Sequence, residues 1–293
     1  MRITCSKVWD TTADLSTSFF MKILIDNIEL SPGEPERRIA LLVRERLGLD
    51  ADPDWSVDHR SLDARDKGRI VYRYRVLVEL PEQAARSALA VPGVRQYEPR
   101  TAGPAPRARA GLSVVIVGAG PAGLFCALRL IGAGARVTVL ERGRPVGERM
   151  RDIHSLREGG TLDPDSNVLF GEGGAGAYSD GKLTTRIHRG EVEWFFRTMV
   201  DCGAPAAILY EARPHIGTDG LVPLLANIRK LIEESGSRIL FGERVSGFIR
   251  EGGRAAGVLT AGGGEYRANA VGVASVHSAR DAYDLLSRER IAL

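Results

Sequence analysis

Cysteine is scarce in this 293-residue chain: Cys5, Cys126 and Cys202 stand far apart, with no CxxC pair. That spacing excludes a disulfide framework and a cysteine-based metal ribbon, and it suits a reducing, cytoplasmic setting. His154, His188, His215 and His277 are equally scattered and show no ligand spacing, so no metal site is expected. Charge of one sign is lacking too. Forty basic and 37 acidic residues leave a net charge of +3, which gives no electrostatic case for nucleic acid as a partner. No apolar run reaches the roughly 18 residues of a membrane span. The first twenty residues lack a basic segment feeding a long apolar stretch, so no secretory signal is expected. There is no internal repeat. What remains is globular in composition, 44% apolar and 26% charged, with room for one large or two ordinary domains.

The most informative stretch runs from Ser113 to Glu141. A short apolar strand (Val114 to Val117) leads into Gly118-Ala119-Gly120-Pro121-Ala122-Gly123, which opens a helix. A second apolar strand (Val137 to Leu140) then ends on Glu141, 23 positions past Gly118. Each glycine has a task in such a strand–turn–helix unit. Gly118 allows the tight turn, Gly120 lets the backbone approach a pyrophosphate, and Gly123 permits close helix–strand packing. The helix N-terminus offers free amides and a positive dipole end to phosphates. Glu141 is placed to accept hydrogen bonds from both hydroxyls of a ribose, and its charge would repel a 2′-phosphate. Val117 through Gly123, with Glu141 and Arg142, therefore form the expected grip on an adenine dinucleotide other than NADP.

FAD is favoured over NAD by the region after Phe241, where short strands alternate with glycine turns up to Ala268, a β-meander. A meander behind the first βαβ unit resembles the FAD domain of glutathione-reductase-type flavoproteins. That resemblance implies that the backbone at Val245 holds the adenine. The cysteine pair of the disulfide reductases in that group is absent here. A second strand-GxGxxG-helix unit is also absent, so no separate Rossmann-type NAD(P)H domain is expected.

Residues 1–20 read as an unstructured extension ahead of Met21-Lys22-Ile23-Leu24-Ile25. Residues 21–100 form a small α+β domain, with a helix over 36–47 and a strictly alternating strand over 69–80. In that strand Ile70, Tyr72, Tyr74, Val76 and Val78 face one way, and Arg73, Arg75 and Glu79 the other. Residues 101–111, rich in proline, glycine and alanine, form a linker. Residues 112–293 form the α/β, Rossmann-type domain, carrying a helical insertion over about 190–237. Cys126 falls on the helix behind the glycine turn and is expected in the core.

A second glycine-dense segment spans residues 167–183 and exposes backbone amides to a flat ligand or an anion. Within it Gly173, Gly174, Ala175, Gly176, Ser179 and Lys182 are expected cofactor contacts, with Lys182 adding charge near the flavin ring or the pyrophosphate. Arg149, after the second strand, is a further expected contact. The motif Gly-Glu-Gly-Gly-Ala-Gly-x-x-Ser-Asp-Gly-Lys-Leu (171–183), with Pro-His-Ile-Gly-Thr-Asp (214–219) and His-Ser-Ala-Arg-Asp (277–281), resembles the bacterial FAD-dependent dehydrogenases, or NAD(P)/FAD-dependent oxidoreductases, of unassigned substrate. The resemblance implies non-covalent FAD, hydride transfer at flavin N5, a small-molecule substrate with NAD(P)H as a possible reductant, and the 171–183 loop bordering the isoalloxazine. It supplies no established catalytic residue.

Two departures from the family stand out. Val276 occupies a position where members carry glycine, and members continue well beyond residue 293, which reads as an N-terminal portion with the flavin side incomplete. A truncated, inactive FAD-binding fragment and a flavin-dependent tRNA-modifying protein are the two alternative expectations.

Overall fold

A computed structural model describes residues 20–99, 106–185 and 190–291. The proposed extension over 1–20 lies almost wholly outside these residues, as do residues 101–105 of the linker and His188.

The first unit alternates as β1 (Phe20–Leu30), α1 (Arg38–Leu47), β2 (Asp54–Asp63), β3 (Val71–Pro81), α2 (Glu82–Ala88) and β4 (Val94–Gln96). Its four strands are antiparallel in the order β2-β3-β1-β4, the split βαββαβ arrangement. The period-two pattern puts Ile23, Ile25, Ile28 and Leu30 of β1 beside Tyr74, Val76, Val78 and Leu80 of β3, and Ile39, Val43, Ala85 and Ala88 of the helices cover them. Ile70 departs from the expected alternation: it precedes β3 and is exposed. Arg73 and Arg75 lie on the outer face and pair with Asp63, Glu29 and Asp58, so this face is a lattice of paired charges.

The second unit is built on β5 (Ser113–Val117), α3 (Pro121–Gly132), β6 (Arg136–Glu141), α4 (Val146–Arg157), α5 (Gly190–Asp201), α6 (Thr218–Glu234) and β7 (Arg238–Phe241). Then come β8 (Val245–Glu251), β9 (Arg254–Thr260), β10 (Glu265–Arg267), β11 (Ala270–Val273) and α7 (Arg280–Arg288). Strands β11, β5, β6 and β7 form a parallel sheet in that order, and β8, β9 and β10 an antiparallel meander. Val114, Ile116, Val137 and Val139 pack against Leu124, Ala127 and Leu128 of α3. Near-continuous apolar strands are what a sheet covered on both faces requires.

Two expectations change. The reading of 190–237 as one insertion is corrected for α6, because Leu224, Leu225, Ile228, Leu231 and Ile232 belong to the same core as β5 and β6. Helix α6 leads directly into β7, which joins β6 in parallel; a parallel pair needs such a crossover. Cys126 is exposed on α3 rather than buried, whereas Cys202 is buried and its thiol is pushed up to about 12 by that burial.

The two units meet through Arg60 of β2. Its amide donates to the Tyr210 carbonyl at 2.7 Å, and its carbonyl accepts from Ala212 at 2.9 Å. Its guanidinium reaches Glu36 and Glu211 and lies between the rings of Tyr72 and Tyr210.

Candidate functional site

Strand β5 ends at Val117 and the chain turns at Gly118, whose φ is +106°. A Cβ on Gly118 would lie 2.8 Å from the Ala274 carbonyl oxygen, and one on Gly123 would lie 2.0 Å from that of Gly118. Both glycines are therefore demanded by the protein's own packing. Gly120 is different. Its backbone (φ −71°, ψ 177°) suits any residue, and a Cβ there would meet nothing within 4 Å. Helix α3 starts at Pro121 with no side chain capping it. Pro121 donates no amide there, and its fixed φ suits the first helical turn.

Glu141 ends β6 and is 5% exposed. Its Oε2 accepts from the Ala119 amide at 2.7 Å, and its Oε1 from those of Gly143 and Gly171 at 3.0 Å each. A carboxylate offers about four acceptor positions. Three are taken, so one acceptor position remains, where the pair of hydroxyls expected from sequence would need two. Arg142 beside it stacks on Phe170, 4.5 Å from the ring centroid, and pairs with Asp281 at 2.7 Å and Asp165 at 3.8 Å.

These residues border a half-open cleft. Val117, Gly118, Gly120, Glu141 and Arg142 form one wall, Phe170, Gly171 and Gly174 another, and Val245 and Phe248 a third. The fourth wall is largely apolar, comprising Ala282, Leu285 and Leu286 of α7 and the residues leading into it, Ala279 among them. Sequence reasoning missed this wall. Its signal was the helical spacing 279, 282, 285, 286. Val276, standing where glycine was expected, also lines the cleft.

The second glycine segment lies directly on the first. Gly171 donates to Glu141, Gly173 donates to the Ala119 carbonyl at 2.8 Å, and a Cβ on Gly174 would stand 3.7 Å from the Gly120 Cα. Residues 171–174 thus meet the turn and the acid, at the adenosine side of the expected site. Gly173 is buried beneath the surface, and Ala175, Gly176, Ser179 and Lys182 are exposed and do not line the cleft. The Lys182 ammonium pairs with Asp180 at 2.7 Å, which raises its pKa; its charge is spent there rather than in the cleft.

Arg149 was expected to contact a cofactor. Instead it is the bulkiest fully buried side chain among the described residues. Its donors go to the carbonyls of Asn167 (2.6 Å), Glu172 (2.7 Å), Val168 (2.7 Å) and Gly174 (2.8 Å), with the Tyr178 ring 4.9 Å away. Glu172 next to it is fully buried. Its Oε2 accepts from the Val146 amide at 2.8 Å and from Arg229 at 3.0 Å, while its Oε1 has no partner among the described residues. Burial raises the Glu172 carboxyl above its ordinary pKa. No described helix is long and apolar enough to cross a membrane.

Residues 113–152 match the family model described as FAD dependent oxidoreductase. An uncharacterised protein of Clostridium beijerinckii is 33% identical over 282 residues, covering 93% of this chain and 52% of that protein. The 6-methylpretetramide 4-monooxygenase of Streptomyces rimosus is 33% identical over 154 residues, 52% of this chain and 34% of the enzyme. The chain thus spans about half the length, or less, of these relatives. Among solved structures, the 3-ketosteroid-delta4-(5alpha)-dehydrogenase of Rhodococcus jostii RHA1 aligns over 60% of this chain and 48% of its own at 19% identity, with a TM-score of 0.35. The glycine turn, the acid ending β6 and the start of α4 all fall inside the segment that matches the FAD dependent oxidoreductase model.

Proposed function

We propose that this chain holds FAD by its adenosine diphosphate half in the cleft between the glycine turn and α7, and serves the oxidoreduction of an organic small molecule. The observation that carries the reading is Gly120. The fold explains Gly118 and Gly123 by collision and leaves Gly120 with open space where a side chain would stand. A pyrophosphate arriving from outside the protein explains the vacancy, because only glycine lets it approach the backbone at the head of α3. Glu141 fits the same group, with one acceptor position left toward a ribose hydroxyl. The apolar surfaces of Val245, Phe248, Leu285 and Leu286 suit a flat base.

When bound, FAD supplies reversible hydride acceptance at N5, which is the hard chemistry of this class. What the chain's own residues do is bind and orient. The uncapped start of α3 faces the phosphates, Glu141 fixes the ribose, and α7 keeps water from the base. NAD(P)H as reductant and a small organic substrate complete the reading.

Two measurements test it. Apo chain titrated with FAD in a calorimeter should show uptake near one equivalent, and the complex should show oxidised-flavin absorbance. Anaerobic NADH or NADPH should then bleach that absorbance. No uptake by folded material removes the cofactor assignment. Uptake without bleaching by either nucleotide removes NAD(P)H as the reductant.

A further inference from the structure

We propose that Arg149 is a positioning residue: it fixes the second glycine segment from beneath, and so sets how Glu141 meets an adenosine ribose. The inference rests on the FAD reading above and adds a role for a side chain that never reaches the cleft.

Arg149 spans four carbonyls of one short segment, from Asn167 to Gly174. Only the planar guanidinium fork carries enough donors in fixed directions for that; a lysine ammonium is a point charge with three. Peptide planarity turns the grip into a directed signal. In a trans peptide the N–H points opposite to the preceding C=O. Drawing the Glu172 carbonyl down onto Arg149 therefore aims the Gly173 N–H the other way, where it meets the Ala119 carbonyl of the first turn at 2.8 Å.

The second tie is steric. A Cβ on Gly171 would lie 2.4 Å from the Arg149 Cδ, so Gly171 rests against the arginine stem, with φ at +118°. From that position its amide donates to the Glu141 Oε1 at 3.0 Å. With Oε1 held by two amides, the open acceptor position falls on Oε2. Among the described residues no carboxylate forms an ion pair with Arg149, so a buried cation is held by carbonyl dipoles and the Tyr178 ring. Such burial is costly unless every donor is placed, and here the placement is the segment's shape.

The test uses the whole chain, stripped of flavin and titrated with FAD and with an FAD analogue lacking the adenosine 2′-hydroxyl. Wild type should prefer FAD by about tenfold, the worth of a hydrogen bond to a charged acceptor. Arg149→Lys, with unchanged far-UV circular dichroism, should reduce that preference to about threefold or less. Adding Glu141→Gln to Arg149→Lys should reduce it no further than Glu141→Gln alone. A merely structural role would weaken both ligands equally and keep the preference at its wild-type value, which overturns the inference. If Arg149→Lys does not fold, Tyr178→Leu removes the ring against the guanidinium, together with the hydroxyl that donates to the Val146 carbonyl at 2.8 Å; it should reduce the preference in the same direction, and an unchanged preference again overturns the inference. Uptake of both ligands equally by wild type overturns this inference alone. No FAD uptake by wild type overturns the cofactor assignment and this inference with it.

Discussion

The two glycine-rich segments share a composition and owe their shapes to opposite causes. In 118–123 the constraint lies within the turn and the strand beside it: Gly123 must be glycine because Gly118's own carbonyl occupies the space its Cβ would need. In 167–174 the constraint comes from α4, where one arginine fork holds four carbonyls. A segment shaped by its near neighbours in sequence can be recognised by spacing. One shaped by a side chain some twenty residues away looks like an unstructured loop until the fold is known.

The comparison is sharpest inside the first turn. Gly123→Ala should be the most damaging single change, since its Cβ would stand 2.0 Å from backbone that cannot move aside. A loss of about 3 kcal/mol is expected in urea denaturation of the apo chain, the upper range of overpacking. Gly120→Ala should leave stability within about 0.5 kcal/mol while weakening FAD uptake at least about tenfold, the methyl standing where a phosphate oxygen would come. Equal stability losses in the two variants would erase the distinction between a glycine the fold needs and a glycine a ligand needs.

That distinction also explains what the sequence could and could not disclose. The β5–α3–β6 unit was legible because periodicity, turn chemistry and the terminal acid all agree within thirty residues. The meander was legible from its glycine turns. Helix α6 was legible as a helix but not as the crossover into β7, since the amphipathic stripe of a crossover is no different from that of an insertion. Arg149 and Lys182 were both misplaced for one physical reason. A long cationic side chain can be absorbed by carbonyls underneath a loop or by an acid two positions away, and neither partner leaves a periodic signal. The α7 wall was missed although its 279, 282, 285, 286 spacing was present.

Arg60 offers a second arginine against which to measure Arg149. Both join distant segments, but Arg60 keeps a quarter of its side chain exposed and has carboxylate partners in Glu36 and Glu211. Backbone pairing at Tyr210 and Ala212 would survive its truncation. Arg60→Ala should therefore cost about 1–2 kcal/mol, in the range of charged hydrogen bonds that remain partly solvated. It should appear as earlier urea release of the N-terminal unit with FAD uptake unchanged. A variant that loses FAD uptake in proportion would show that the N-terminal unit reaches the cleft through the 210–217 segment, and would erase the contrast with Arg149.

The smallest effect expected concerns Glu172, whose backbone carbonyl Arg149 holds and whose side chain points elsewhere. Burial raises this carboxyl above the ordinary 4.5, ahead of the opposing pull of the Val146 amide and Arg229. An acid with a raised folded pKa contributes stability that is complete below its unfolded value and is lost as pH climbs through the folded one. Glu172→Gln cannot ionise, yet its amide oxygen can accept from the same two donors. Its stability relative to wild type should therefore rise with pH from about 4.5 upward, by no more than about 1 kcal/mol, and level off once wild-type Glu172 is fully charged. Every other titrating group is common to both proteins, so the difference between their pH–stability curves isolates this one acid. Parallel curves across that range would mean that Arg229 compensates the buried charge fully. The ground beneath the second glycine segment would then be electrostatically neutral to pH, and its shape would rest on the arginine fork alone.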